Sequence, residues 1–396
     1  MISPSTPELL DIRQPRVRPR FLTIIPHIGL GGAERVVANL LATMRPELFD
    51  YHLVTLNVPD GGTEQTLPPY VNRSVLNATR VETAGIALAR YLRRLRPDLI
   101  CSHVVAMNVI TSMAVLASGI DSRLVLIDHH VATQSNVGSS NVKGPGLFHP
   151  LLRPAMRWAY PRSDRFVGVS STVLGETQRV VGANRGKGVV IPNPIVRDDL
   201  VARSQEPAGH PWLDQAGFEV VLAVGRLVPV KNFHLLINAF ALIAERRANA
   251  RLIIMGIGPL RSELEAQIQR LGLESRAQLI GQKENPFSAM RRARTIAVTS
   301  HSEGLSTVLI EAMACGTPVV ATQFQSAGEA LPSWGGRPVP FTPEAVANAI
   351  EQRFDHPEDP QRLKTWATQF AAAPIARRYE QLFLDILAGH ANLTNQ

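Results

Sequence analysis

The chain has 396 residues, 45% of them hydrophobic and 19% charged, which fits two α/β domains of ordinary size and excludes a disordered or low-complexity chain. The formal charge of +8 is uneven: residues 1–197 carry 22 Lys and Arg against 13 Asp and Glu, a net of +9, whereas residues 198–396 carry 19 against 20, a net of −1. Two cysteines, Cys101 and Cys315, lie far apart in apolar surroundings, which excludes a disulfide framework and thiolate metal spacing and reads as buried small hydrophobes in a reducing compartment.

In chain order, residues 1–20 lack the apolar run of a secretory signal. Arg13, Arg16, Arg18 and Arg20 with Pro15 and Pro19 predict a flexible basic tail on a cytoplasmic chain. Phe21–Ile25 is wholly apolar, as an interior parallel strand is. A glycine loop follows, then a helix over about 33–44, a strand at 51–56 and a basic amphipathic helix near Ala84–Leu95. The uncharged stretch 99–120 invites a membrane-span reading, but Ser102, His103, Asn108, Thr111 and Ser112 within it, and Asp98 before it, argue for strand, turn and buried helix. Strands are expected at 123–127, 166–169 and 189–191, with a mobile Gly/Ser/Asn-rich loop at 131–150. Pro192, Pro194, Pro207 and Pro211 mark a linker without regular structure. Beyond it come strands at 220–224, 251–255, 278–280 and 295–298, alternating with helices at 233–246, 261–271 and 287–293, and a last helix at about 374–388. Strand alternating with helix twice over predicts two doubly wound α/β domains.

The candidate chemistry sits in three loops. In Ser300-His-Ser-Glu303-Gly-Leu-Ser306-Thr-Val-Leu-Ile-Glu311-Ala-Met-Ala-Cys-Gly316, Ser306 is a candidate helix cap and Gly316 a helix stop. Glu311 then lies in an apolar helix, where a lone carboxylate costs several kcal/mol unless paired. The rise per residue places Glu303 and Glu311 roughly 10 Å apart, about the span from sugar to ribose in a nucleotide sugar. The helix N-terminus between them suits a diphosphate. Arg226 and Lys231, in Gly225-Arg226-Leu-Val-Pro-Val-Lys231-Asn232, place two cations at the mouth of a strand–loop–helix unit, again suited to a diphosphate. Gly29-Leu-Gly31-Gly32-Ala-Glu34-Arg35 follows the first strand, where small residues permit close backbone approach. No Asp-x-Asp pair is present to hold a metal.

These segments, with Asp164-Arg-Phe-Val-Gly-Val-Ser170 and Val190-Ile-Pro-Asn193-Pro194, resemble the family 4 retaining glycosyltransferases from about residue 21 to the final helix. That family has the GT-B fold, two Rossmann-like doubly wound domains facing across a cleft. The resemblance implies an N-terminal acceptor-binding domain over 1–197 and a C-terminal nucleotide-sugar-binding domain over 198–372. It implies a helix in 373–396 that crosses back to the first domain. It assigns catalysis to His129, Glu303, Arg226 and Lys231. Donor binding falls to Gly31, Gly32, Arg226, Lys231, Gly304, Leu305 and Glu311, with Glu303 on sugar hydroxyls and Glu311 on the ribose. Asp128-His129-His130 offers two histidines at one strand end; His129 is favoured, with His130 and His103 open. No metal and no cofactor are expected, because Arg226 and Lys231 stabilise the leaving diphosphate and the nucleotide sugar is a substrate.

The expected activity is transfer from a nucleotide-diphosphate sugar, UDP-linked by preference, to a glycan or lipid-linked acceptor in cell-surface polysaccharide synthesis. A soluble sucrose- or glycogen-type synthase, an epimerase on the same fold and a catalytically silent nucleotide-sugar-binding protein are the alternatives. No nucleic-acid-binding motif accompanies the basic half. Instead, Arg90, Arg93 and Arg94 on the 84–95 helix, and the cluster of Arg153, Arg157, Trp158, Tyr160, Arg162 and Arg165, point to an anionic membrane surface. One departure from the family concerns its Gly-Gly-x-x-Glu segment, which here reads Gln323-Phe-Gln-Ser-Ala-Gly328-Glu329.

Overall fold

In a computed structural model the protein is described over residues 17–29, 31–58, 65–78, 84–130, 151–182 and 186–389. The expected basic tail (all but its last residues) and the 131–150 loop therefore lie outside the described residues. The first sheet has seven parallel strands: β1 (Arg20–Ile25), β2 (Asp50–Thr55), β3 (Asn72–Val75), β4 (Leu99–His103), β5 (Arg123–Asp128), β6 (Arg165–Gly168) and β7 (Gly188–Val190), in the order β3-β2-β1-β4-β5-β6-β7. The second has five: β8 (Glu219–Val224), β9 (Ala250–Met255), β10 (Ala277–Leu279), β11 (Thr295–Val298) and β12 (Val319–Ala321), in the order β10-β9-β8-β11-β12. In both sheets the strand order reverses beside the first strand, between β1 and β4 and between β8 and β11. In such sheets the crevice beyond the carboxyl ends at the reversal is where ligands bind.

The apolar strands are explained by burial on both faces. Alternate residues of the first sheet feed different layers: Phe21, Leu99, Cys101, Val125 and Ile127 join one cluster, and Leu22, Ile24, Ile100, Leu124 and Leu126 the other. The first of these clusters continues into the second domain through Leu222, Ile253 and Leu309. Phe383 and Tyr379 of the Ala372–Leu387 helix complete it, the Phe383 ring meeting Phe21 at 5.0 Å and Tyr379 at 5.8 Å, both in tilted geometry. That C-terminal helix is pinned to the first domain by Glu380, whose buried carboxylate accepts from the amide (2.7 Å) and the guanidinium (2.9 Å) of Arg45.

Residues 99–120 form β4 and the Val105–Ser118 helix, and among the described residues no helix is long and apolar enough to cross a membrane. The linker needs correction. Within 192–211 the chain forms a helix, Asp199–Gln205, which buries Leu200 against the second domain's Phe287–Arg292 helix. Pro194 and Pro207 bracket this helix rather than interrupt it. Two chain segments cross between the domains side by side: the amides of Ile195 and Val196 both donate to the Phe370 carbonyl, and Ala372 N–H donates to Val196.

Candidate active site in the interdomain cleft

The loops that follow β1, β5, β8 and β11 carry the residues of interest. The loop after β11 is lashed to the loop after β8. Thr299 Oγ1 donates to the carbonyls of Lys231 (3.2 Å) and Asn232 (3.0 Å), and His301 N–H donates to Val230. This places Lys231 Nζ 2.6 Å from Glu303 Oε1, to which the Ser300 hydroxyl also donates at 2.7 Å. Burial works against ionising Glu303, but the Lys231 ammonium and the Ser300 hydrogen bond outweigh it, holding the carboxyl below its ordinary value. The cation proposed for a phosphate and the carboxylate proposed for a sugar are thus one hydrogen-bonded unit.

Glu311 occupies the second turn of the Thr307–Cys315 helix, which ends at Gly316 in the left-handed conformation that glycine tolerates. Ser306 stands at the N-cap, but its side chain makes no capping bond. Glu311 is 1% exposed. Arg35 Nη1, on the first domain's Gly32–Thr43 helix, donates to its Oε1 at 2.8 Å, and its Oε2 is buried without a partner. The glycine loop lies close to that helix: a side chain on Gly32 would meet Thr307 Oγ1 at 3.9 Å. Glu34 folds back over Gly31 and pairs with His27 at 3.4 Å, so it does not compete for Arg35.

The three candidate histidines occupy different surroundings. His129 points into the first domain, where it stacks on His103 with Nε2 2.9 Å from His103 Nδ1. Burial holds both imidazoles neutral, His103 down to about 3 and His129 well below its ordinary value. His130 lies within electrostatic reach of the Glu303, Lys231 and Arg226 charges; burial lowers its pKa, Glu303 raises it, and Lys231 and Arg226 lower it further. The strand end itself is anchored by Asp128, whose carboxylate accepts from Tyr160 OH (2.6 Å), Thr177 Oγ1 (2.6 Å) and Asn108 Nδ2 (2.9 Å). Gly304 packs directly on the 129–130 peptide; a Cβ there would lie 1.9 Å from the His129 carbonyl oxygen, so only glycine fits. Leu305 beside it is buried. Arg226 is exposed at the mouth of the same cleft.

Further contacts across the cleft were not legible in the sequence. Ser170 Oγ donates to the Gly304 carbonyl at 2.7 Å while accepting from Val173 N as cap of the Ser171–Val181 helix. Glu329 accepts from the amides of Ser171 (2.6 Å) and Thr172 (2.8 Å), so a second-domain carboxylate caps a first-domain helix. Within the second domain, Ser326 Oγ donates to the Glu303 carbonyl at 2.8 Å. The altered segment after β12 thus supplies a polar seam beside the donor loop.

Two doubly wound domains, with paired cations and carboxylates gathered where both sheets reverse, define a GT-B glycosyltransferase. The model described as "Glycosyltransferase Family 4" matches residues 30–199, and "Glycosyl transferases group 1" matches 211–370. The chain belongs to the group 1 glycosyltransferases. It is 29% identical over 315 residues, 77% of this chain and 80% of the relative, to the N-acetylgalactosamine-N,N'-diacetylbacillosaminyl-diphospho-undecaprenol 4-alpha-N-acetylgalactosaminyltransferase of Campylobacter jejuni. Its fold is similar to that of the Anabaena protein HepE in complex with UDP (TM-score 0.70, 19% identity, 92% of this chain and 100% of the other). It is also similar to sucrose-phosphate synthase from Thermosynechococcus elongatus (TM-score 0.73, 20% identity, 93% and 100%).

Proposed function

We propose that this glycosyltransferase is a retaining, metal-independent enzyme that moves a sugar from a UDP-sugar to a glycan or lipid-linked acceptor during synthesis of a cell-surface polysaccharide or glycoconjugate. The observation that carries the reading is the Lys231–Glu303 unit beside Glu311, whose free oxygen is buried. Lys231 and Arg226 neutralise the diphosphate that departs, an electrostatic task that fixed cations perform without a metal. Glu303 accepts from sugar hydroxyls and Glu311 from the ribose, while His130, rather than His129, faces the transferred sugar. The name of the Campylobacter relative includes a diphospho-undecaprenol acceptor, and HepE was solved with UDP; both support the choice of donor and acceptor class.

A peripheral position on an anionic membrane surface fits the first domain. Ile86 (70% exposed), Leu116 (68%) and Leu151 (59%) stand on or beside three helices that pack in series, with the exposed Arg90, Arg94 and Arg153 among them. Apolar side chains interspersed with cations suit a lipid–water boundary. The surface is smaller than the sequence implies. Arg93 donates to the carbonyls of Ala117 and Ser118, and Arg157 to that of Val180. Arg165 and Tyr160 are buried.

The test is label transfer from UDP-, GDP- and ADP-sugars into a membrane-lipid extract, with and without EDTA, beside Glu311→Ala. Transfer from UDP-sugar into the lipid fraction, unaffected by EDTA and lost in the variant, is expected. Transfer only to a soluble acceptor, or abolished by EDTA, would refute the acceptor or the metal-independent part of the reading.

A further inference from the structure

A buried carboxylate in an apolar helix needs a counter-charge, and the one seen at Glu311 comes from the other domain. Arg35 lies 276 positions away in the chain and donates one hydrogen bond, Nη1 to Oε1 at 2.8 Å. The carboxylate is 2% exposed and the guanidinium 26%. The second oxygen, Oε2, is buried with no partner, an acceptor held in place for something else. The Arg35 backbone is set in the first turn of a helix that starts at the glycine loop, its amide donating to the Gly31 carbonyl. Glu34, next in sequence, is turned away toward His27.

We propose that Arg35 is a positioning residue for donor recognition. By holding Oε1 it leaves Oε2 presented to a ribose hydroxyl of the nucleoside diphosphate, so the second domain's nucleoside site is complete only while the first domain is docked on it. This rests on the reading of Glu311 as the nucleoside-binding carboxylate. Its consequence is that donor binding and cleft closure are one linked equilibrium: separating the domains strands Glu311 without a counter-charge, and a ligand that needs Glu311 in place favours the docked form.

The experiment is calorimetric titration of the full chain with UDP, or with GDP or ADP if the wild type binds one of those more tightly. The variants are Arg35→Met, Arg35→Lys, Glu311→Gln and the double Arg35→Met/Glu311→Gln, each checked by thermal melting. Arg35→Met and Glu311→Gln are each expected to weaken binding tenfold or more. The double variant is expected to bind no worse than either single one, because both changes remove the same interaction. Arg35→Lys, which keeps a charge for a single bond, should recover part of the loss. The double variant carries no stranded buried charge, so it separates a binding effect from a folding defect. If Glu311→Gln loses tenfold and Arg35→Met stays within twofold, or if the losses add, the role given to Arg35 is overturned while the reading of Glu311 stands. If Glu311→Gln itself stays within twofold, the reading of Glu311 fails.

Discussion

Glu329→Ala removes the carboxylate by which the second domain caps the Ser171–Val181 helix of the first. Hydrogen bonds to charged groups contribute about 1.5–3 kcal/mol when well buried, and an exposed carboxylate at a helix N-terminus about 0.3–1 kcal/mol. The Ser171 contact is exposed and the Thr172 contact part-buried. Water replaces the lost acceptor, so the docked cleft should lose about 1–2 kcal/mol, a five- to thirty-fold fall in the ratio of docked to separated forms. Glu329→Gln keeps one acceptor oxygen and should lose roughly half as much. Both native cysteines are buried, so probes on Asp121→Cys and Gln352→Cys, exposed positions on opposite domains, report interdomain distance with little background. The expected result is a population shifted toward longer distances, with kcat/KM for transfer lowered in proportion to the measured docked fraction and the melting temperature nearly unchanged. An unchanged distance distribution with kcat/KM within twofold of wild type would show that the capping contact does not hold the cleft.

Gly304→Ala places a Cβ 1.9 Å from the His129 carbonyl oxygen. Overpacking of that kind costs about 1–3 kcal/mol, borne by the seam between the domains, so donor affinity should fall about tenfold or more; wild-type affinity would refute the packing argument. His130→Ala is expected to cut transfer tenfold or more with little change in melting temperature. His129→Ala should chiefly lower the melting temperature by stranding His103, and the reverse pattern would restore His129 as the donor-facing residue. Stability should also depend on pH through the buried imidazoles. With His103 held down to about 3 against an ordinary 6.5, the unfolded chain binds the extra proton; the contribution is full above about 6.5 and lost as the pH falls toward 3. Asp128, pushed up to about 6 by burial despite its three donors, works in the opposite sense. Its protonated form favours the fold below about 4, and that contribution fades as the pH rises through about 6. Denaturant unfolding between pH 8 and pH 4 should therefore show a shallower acid loss in His103→Gln than in wild type, and parallel profiles would refute the assignment.

Much of the fold was legible because its signals are local. Phe21–Ile25 and Val220–Val224 are continuous apolar runs because both faces of a parallel strand are buried. The loops that follow them carry glycines and cations at the points where the sheets reverse. The spacing of Glu303, Ser306, Glu311 and Gly316 placed one carboxylate in a loop and the other in a helix, as found. β3, with the sequence Asn72-Arg-Ser-Val75, escaped notice because an exposed edge strand needs no apolar pattern. The Asp199–Gln205 helix was hidden by prolines that flank it. Other features depended on residues distant in the chain. Whether His129 or His130 faces the cleft depends on the backbone path beyond Asp128 and on the docking of Gly304 against it. Arg165 looks like a surface cation in sequence, yet it is buried. The counter-charge of Glu311 and the cap supplied by Glu329 come from opposite domains. Periodicity and turn chemistry act over a few residues and so are written in the sequence, but the pairing of charges across a cleft exists only once both domains have folded and met.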